Sequence, residues 1–127
     1  FLGCEYTNAN DQLEFSQSYP GTSVSNAFAV VMDNPSVLCK VAIVTAAGAV
    51  DDTLTRAAVG ANASIEQELA GVAATGNSRL GMTKATANTN TLPLRIIDLV
   101  EDTKTSNGYV EAIVKFNTHQ YNDTTGV

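Results

Sequence analysis

The sequence predicts a mainly β fold, a small antiparallel β-barrel or sandwich with one or two short helical turns. Residues 109–117 alternate between two sides, with Val110, Ala112, Val114 and Phe116 on one of them, and this period of two is typical of a half-buried strand. Short apolar runs elsewhere are bounded by turn residues. Thr, Asn, Gly and Ser are abundant, which favours strands and turns over long helices.

The strongest single element is a β-hairpin predicted over residues 91–121. Its first half reads LPLRIIDLV and its second half is the alternating run above. Between them lies a polar stretch, residues 101–108, that ends in Ser106-Asn107-Gly108. Asn and Gly tolerate positive φ, so this stretch is predicted to be the turn of the hairpin.

The first third of the chain is predicted to contain short strands and turns. Residues 1–6 have the pattern of a strand end with Leu2, Cys4 and Tyr6 on one face. Residues 7–11 form a turn, followed by a short strand over residues 13–15 and a second turn at 19–21. The Asp and Asn residues at 8–11 lack the spaced ligands and terminal Glu of an EF-hand, so a solvated turn is favoured over a calcium-binding loop.

Two apolar runs, residues 27–32 and 37–45, are separated by Asp33-Asn34-Pro35. Both runs are short and bounded by turn residues, so a second hairpin is predicted around this Asp-Asn-Pro sequence. Lys40 lies in the middle of the second run, where we expect its amine to reach solvent along an apolar stem.

The middle of the chain is less regular. Residues 54–59 fit a brief helix, preceded by Asp51-Asp52 and ended by Gly60. Residues 61–69 fit two patterns, because Ser64 and Gln67 match a helix capping box whereas apolar and polar residues also alternate as in a weak strand. Residues 78–83 are predicted to be a strand and residues 85–90 a connector.

Length and charge limit the classes of function. The 127 residues suit a single β-rich domain, residues 1–127. The chain opens inside an apparent strand without Met, so we expect an upstream N-terminal segment to be missing from it. The net charge is −6 and the seven basic residues are scattered singly, so we expect no nucleic-acid partner, which would need clustered cations. No run approaches the about 18 apolar residues of a membrane-spanning helix, so no membrane partner is expected.

The residues that could carry chemistry give no catalytic pattern. Cys4 and Cys39 each lie in an apolar run, which favours two free thiols, although a disulfide or a metal site shared with His119 stays open. His119 is the sole histidine, and no nucleophile motif, zinc motif or phosphate loop accompanies it. Asp51-Asp52 and Glu101-Asp102 are typical of solvated turns. We expect no enzyme activity, no cofactor and no metal.

Several stretches resemble one family in consistent order along the chain. They are VKFNTHQY at residues 114–121 after LPLRIIDLV and Asn107-Gly108, FLGCEYT at 1–7, VVMDNP at 30–35, and VGAN at 59–62. These stretches resemble small capsid-associated structural proteins of tailed bacteriophages, which decorate or cement the head. The resemblance spans most of the chain, although residues 70–77 match nothing in it, and it favours a strand over residues 61–69.

The resemblance implies a function. It implies a virion protein on the capsid exterior that binds the major capsid protein, forms a homo-oligomer on the capsid lattice and has no catalytic residues. The candidate partner contacts are Phe1, Leu2, His119 and Tyr121. The alternative is a small β-domain of a fibre or adhesin that binds glycans, a class that uses exposed aromatic faces. That class is less favoured because Trp is absent and the aromatic residues fall mostly in runs expected to form the core.

Overall fold

The computed structural model describes residues 1–45, 49–50, 53–67, 69–72, 74–100, 110–119 and 121. The fold is mainly β, with one closed barrel and one three-stranded sheet, and the predicted fold class is confirmed. The chain divides into two compact units. The first unit comprises Phe1–Asn34 and Gly71–Ser78, and the second comprises Pro35–Ala70 and Arg79–Val127. The expectation that they act as one domain stays a prediction.

The first unit is an antiparallel sheet in the order β2-β1-β3. Its strands are β1 (Gly3–Thr7), β2 (Leu13–Ser16) and β3 (Ser25–Val30). Cys4 and Tyr6 project from one face of the central strand and are buried, which matches the alternation in the sequence. Leu2 precedes the strand and is exposed, so it does not join them.

The connection between β1 and β2 is held by one asparagine. The Asn8 side-chain oxygen accepts the backbone N–H groups of Asn10 at 2.9 Å and of Gln12 at 3.0 Å. A side chain that accepts hydrogen bonds from nearby backbone donors in this way stabilises a turn. The predicted turn is confirmed, and its polar residues serve the backbone.

The second unit is a closed five-stranded barrel in the order β4-β6-β5-β7-β8, with β8 paired back to β4. Its strands are β4 (Leu38–Val44), β5 (Asn62–Glu66), β6 (Gly81–Ala87), β7 (Leu94–Val100) and β8 (Glu111–Phe116). All pairings are antiparallel except β4 with β6, which is parallel. A closed barrel leaves no strand edge unpaired around its circumference.

The barrel interior holds the hydrophobic core. Ala, Val, Ile, Leu and Met side chains fill it, and the fully buried members include Ile43, Ala63, Met82, Ile96 and Ala112. Phe116 is the one aromatic residue that packs against this core among the described residues. Burial of each large aliphatic side chain contributes about 1.5–3 kcal/mol.

The closing hairpin predicted from the sequence is confirmed in its strands. β7 and β8 pair antiparallel from Leu94↔Phe116 to Val100↔Glu111. Val110, Ala112 and Val114 are buried and Phe116 is half-buried, so the predicted half-buried strand is confirmed and its inward side is the one that carries these four residues. The predicted turn at residues 101–108 lies outside the described residues.

The hairpin predicted around Asp33-Asn34-Pro35 is wrong. β3 pairs with β1 in the first unit, whereas β4 pairs with β8 and β6 in the second. The division between the units falls between Asn34 and Pro35. A turn signal between two apolar runs reports only on the local sequence. Here each run pairs with strands from other parts of the chain, and the two runs do not pair with each other.

Other local predictions met mixed outcomes. The ambiguous segment at residues 61–69 contains strand β5, so the strand prediction is confirmed. β6 runs to Ala87, so the connector predicted from residue 85 is wrong over its first part. The brief helix is a single 3₁₀ turn, Arg56–Ala58, followed by Gly60 at φ +89°. Asp51 and Asp52 lie outside the described residues.

Two asparagine amides fasten the connection between β6 and β7 to the barrel. Asn62 Nδ2 donates to the Thr89 carbonyl at 2.9 Å, and Asn117 Nδ2 donates to the Leu92 carbonyl at 3.1 Å. Asn62 is only 8% exposed. Asn62-Ala63-Ser64 fits the N-glycosylation pattern, but an Asn side chain this buried is not accessible to a glycan.

Candidate functional site

The outer face of the three-stranded sheet carries large apolar side chains around one carboxylate. The register places Glu5 of β1 directly opposite Phe15 of β2 and Phe28 of β3. Residues directly opposite in an antiparallel pair project on the same side. Leu13, opposite Thr7, and Val30, opposite Gly3, extend the same side. We call Glu5, Leu13, Phe15, Phe28 and Val30 the apolar face.

The apolar side chains of this face are well exposed. The exposed fractions are 70% for Leu13, 60% for Phe15, 66% for Phe28 and 41% for Val30. At about 150–250 Å² for an aromatic side chain, the two phenylalanines alone expose roughly 200–300 Å². A contiguous apolar surface of a few hundred Å² is typical of an interaction site.

A glycine in the central strand leaves room for the Phe15 ring beside the backbone. A Cβ at Gly3 would meet the Phe15 ring, with Cε1 only 2.7 Å away. The ring therefore covers the backbone of Gly3, a cross-strand arrangement in which an aromatic residue protects a glycine. The apolar face is consequently shaped by packing within the sheet.

Both outer strands of this sheet have one free edge, since no other described strand pairs with β2 or β3. β3 has no charged residue, and all six of its residues are exposed. A register shift between Glu5 and Thr7 interrupts its pairing with β1, and Asn26 in β3 has φ +48°. Bulges of this kind limit further strand addition, so the face is the better candidate for contact than the edge.

The charges of the two units differ. The first unit contains the acids Glu5, Asp11, Glu14 and Asp33 and no Lys, Arg or His. All seven basic residues of the chain belong to the second unit. The Glu5 carboxylate makes no hydrogen bond or ion pair with the residues that the structure describes. The apolar face is thus centred on a carboxylate without a cation from its own unit.

The barrel surface carries the opposite charge at one place. Arg95 of β7 lies directly opposite Lys115 of β8, and Lys115 lies directly opposite Leu38 of β4. Leu38 is 56% exposed. Neither Arg95 nor Lys115 forms an ion pair with a described residue. We call these three residues the basic row.

The neighbouring charges of the barrel are paired. Lys40 Nζ lies 3.0 Å from Glu111 Oε2, and Arg56 Nη2 lies 3.1 Å from Asp98 Oδ1. Lys40 does reach solvent, as the sequence predicts, and it meets a carboxylate there. Like charges directly opposite in a sheet are unfavourable without a counterion, so the basic row is a place where an anionic partner would relieve repulsion.

The four predicted contact residues fall in two separate groups. Phe1 and Leu2 belong to the first unit and are 63% and 51% exposed. His119 and Tyr121 belong to the second unit, where their ring centroids lie 5.5 Å apart and the Tyr121 N–H donates to His119 Nδ1 at 3.1 Å. Their role as partner contacts stays a prediction.

The described residues offer no metal centre of three or more His, Cys, Asp or Glu side chains. Cys4 and Cys39 are free and belong to different units, so the prediction of free thiols is confirmed. Cys4 is buried, while Cys39 is only half-buried. In the part of the chain that is described, no helix is long and apolar enough to cross a membrane.

Sequence reasoning missed the apolar face. It expected most aromatic residues to lie in runs that form the core, and this is wrong for Phe15 and Phe28, which are 60% and 66% exposed. The signal was present in the short alternations Leu-Glu-Phe at residues 13–15 and Ala-Phe-Ala-Val at 27–30. Alternation shows that one side of a strand differs from the other, but it does not show which side is covered.

Comparisons with protein-family models, with curated proteins and with solved structures returned no match to this chain.

Proposed function

We propose that this chain is a structural virion protein that decorates and stabilises the outer surface of a tailed-phage capsid by binding its major capsid proteins. The observation that carries the proposal is the exposed apolar face on a small β unit. A surface of this kind suits permanent contact with another protein. The ordered resemblance to head-decorating proteins supplies the kind of partner.

The charge distribution supports an exterior location. A net charge of −6 keeps such a chain in solution and repels it from packaged DNA. Many copies on a lattice strengthen individually weak contacts through avidity. The chain would clamp neighbouring capsid subunits without any chemistry of its own.

The test is binding of purified protein to capsids assembled from the major capsid protein of the same genome. We expect co-sedimentation at a fixed number of copies per capsid and a higher temperature of capsid disruption when the protein is present. Phe28→Ser should weaken binding, because Phe28 is 66% exposed on the apolar face.

Leu69→Ser is the matched control. Leu69 is 40% exposed, belongs to the second unit and is not part of the apolar face. The Leu69→Ser variant should bind as the unaltered chain does. Capsids that neither bind the protein nor gain heat resistance from it would show that the proposal is wrong.

A glycan-binding module is the second candidate, and one observation favours it. Phe15, Phe28 and Tyr19 expose their rings in a single unit, and sugar rings stack on exposed aromatic faces. The absence of Trp and of charged side chains within β3 beside Phe28 weighs against it. Specific binding on a glycan array that is lost in Phe28→Ser, together with no binding to capsids, would favour this candidate.

A further inference from the structure

We infer that the apolar face of one copy docks on the basic row of the barrel of a second copy, in a head-to-tail contact. The contact would place Glu5 against Arg95 and Lys115, and would place Phe15 and Phe28 against Leu38. The contact uses the same apolar face as the proposed capsid contact, so a copy engaged in one is not available for the other. Its test needs no capsid, because both surfaces belong to this chain.

The centre of the apolar face argues against pairing with itself. A two-fold contact between two such faces would bring Glu5 of one copy against Glu5 of the other, because a symmetric interface uses the same patch twice. Like charges placed directly opposite are destabilising. The first unit has no Lys, Arg or His to compensate, so the face requires a partner that brings a cation.

The basic row supplies what the apolar face lacks. Arg95 and Lys115 are adjacent by register and have no carboxylate among the described residues as an ion-pair partner. Leu38 extends the row with an exposed apolar side chain. The apolar face has a carboxylate surrounded by apolar side chains, and the basic row has two cations beside an apolar side chain. The two surfaces are therefore complementary in both charge and hydrophobicity.

Size sets the expected strength. A stable interface buries about 800 Å² on each partner, and the two phenylalanines expose roughly 200–300 Å². Leu13 and Val30 add to that area but leave it below the full requirement. We therefore expect association that depends on concentration and on salt. Because the two surfaces differ, the contact is heterologous and generates a ring or an open chain.

The experiment is sedimentation equilibrium of the purified chain at low and high salt. We expect concentration-dependent association at about 0.05 M salt that weakens at about 1 M, where the screening length falls to about 3 Å. Glu5→Lys alone, and Arg95→Glu with Lys115→Glu, should each raise the dissociation constant about tenfold or more, because each places like charges across the contact.

Mixing the two variants is the decisive arm. In an equimolar mixture, the faces that carry Glu5→Lys can pair with the acidic rows, and the unaltered faces can pair with the original basic rows. Association should therefore return to within about threefold of the unaltered chain. Recovery in the mixture also excludes misfolding as the reason for the loss in each variant.

Two substitutions that change the net charge equally distinguish a specific effect at Glu5 from a general effect of net charge. Glu5→Gln and Asp11→Asn each remove one negative charge from the first unit, and Asn tolerates the φ of +60° at position 11. Only Glu5→Gln should weaken association. A chain that stays monomeric at millimolar concentration, or a mixture that fails to recover, would overturn the inference, whether or not the protein binds capsids.

Discussion

At the scale of single residues, hydrogen bonds between the side chains of Tyr6, Glu14 and Asn8 connect β1 and β2 to the turn between them. Tyr6 lies directly opposite Glu14, and its hydroxyl donates to Glu14 Oε2 at 2.8 Å. Asn8 Nδ2 donates to Glu14 Oε1 at 2.6 Å. One carboxylate thus accepts from the central strand and from the turn, and hydrogen bonds to a charged acceptor are stronger than neutral ones.

The hydrogen bond between Tyr6 and Glu14 makes the free energy of unfolding decrease at alkaline pH. The hydrogen bond to Glu14, followed by burial, raises the pKa of Tyr6 above its ordinary 10.0. The folded state therefore favours the protonated phenol. The stabilisation is fully present below about pH 10, where the unfolded chain is also protonated, and is lost as pH rises through the higher folded-state pKa.

The measurement is the free energy of unfolding from urea denaturation between about pH 8 and pH 11, which spans the ordinary tyrosine pKa. Tyr6→Phe should lower stability at the lower end of this range and should flatten the decline at the upper end. Tyr19→Phe is the control, since Tyr19 is 63% exposed, and should keep the decline. An unchanged alkaline decline in Tyr6→Phe would contradict the role of the Tyr6 hydroxyl.

Gly81 of β6, like Gly3 of β1, lies where neighbouring atoms leave no room for a Cβ. A Cβ there would lie 2.6 Å and 2.8 Å from the two methyl carbons of Val44 and 3.0 Å from the Ala42 carbonyl oxygen. Val44 is buried and β-branched, so it has few rotamers with which to move away. We expect Gly81→Ala to destabilise the barrel by about 1–3 kcal/mol.

The same substitution in a Val44→Ala background tests the cause. Removing the two methyl groups should make Gly81→Ala less costly there than in the unaltered chain, giving a coupling free energy in a double-mutant cycle. Equal costs in both backgrounds would mean that the clash with Val44 is not the origin.

At the scale of elements, strand β7 shows how the closed barrel places adjacent apolar residues on opposite sides. Ile96 is fully buried and pairs with Val114, whereas the adjacent Ile97 is 40% exposed. A register shift lies between Ile96 and Asp98. A bulge changes which residues face inward beyond it, and Leu99 returns to the interior at 6% exposure.

The adjacent isoleucines give a matched pair for measuring this sorting. Ile96→Ala should cost about 2–5 kcal/mol of unfolding free energy, because it removes buried methyl groups and leaves a cavity. Ile97→Ala should cost less than about 1 kcal/mol, since much of the side chain already contacts water. Chemical denaturation of both variants measures these losses of unfolding free energy. Similar losses in the two variants would contradict the assigned strand faces.

At the scale of the whole molecule, acidic and basic residues are distributed unequally. Every basic residue belongs to the second unit, while the first unit is acidic and apolar. Within the part of the chain that the structure describes, Lys40 and Arg56 form ion pairs with acids. The basic residues are scattered singly along the sequence, so we expect no continuous stripe of cations of the kind that releases counterions from a phosphate backbone.

We expect no retardation of double-stranded DNA in gel shifts at about 0.05 M salt, a condition that exaggerates electrostatic binding. Glu5→Lys should behave in the same way, because one added cation does not make a stripe. Retardation by the unaltered chain at micromolar concentration would contradict the expectation of no nucleic-acid partner.

Local pattern was sufficient where an element pairs with its neighbour in sequence. The run from Val110 to Phe116 alternates, and as predicted it forms a half-buried strand that pairs with β7, the preceding strand. The turn residues around Asn8 likewise form the predicted turn. In these places the interactions that decide the structure lie within a few residues or within one hairpin.

Periodicity and composition were enough to predict the β class and the strands of the closing hairpin, because these signals act locally. They could not predict that the run before Asp33 joins β1 while the run after Pro35 joins the barrel. Nor could they predict that Phe15 and Phe28 are exposed while Met82 is buried. Pairing and burial depend on which distant strand lies alongside, and that competition between strands is not contained in any single segment.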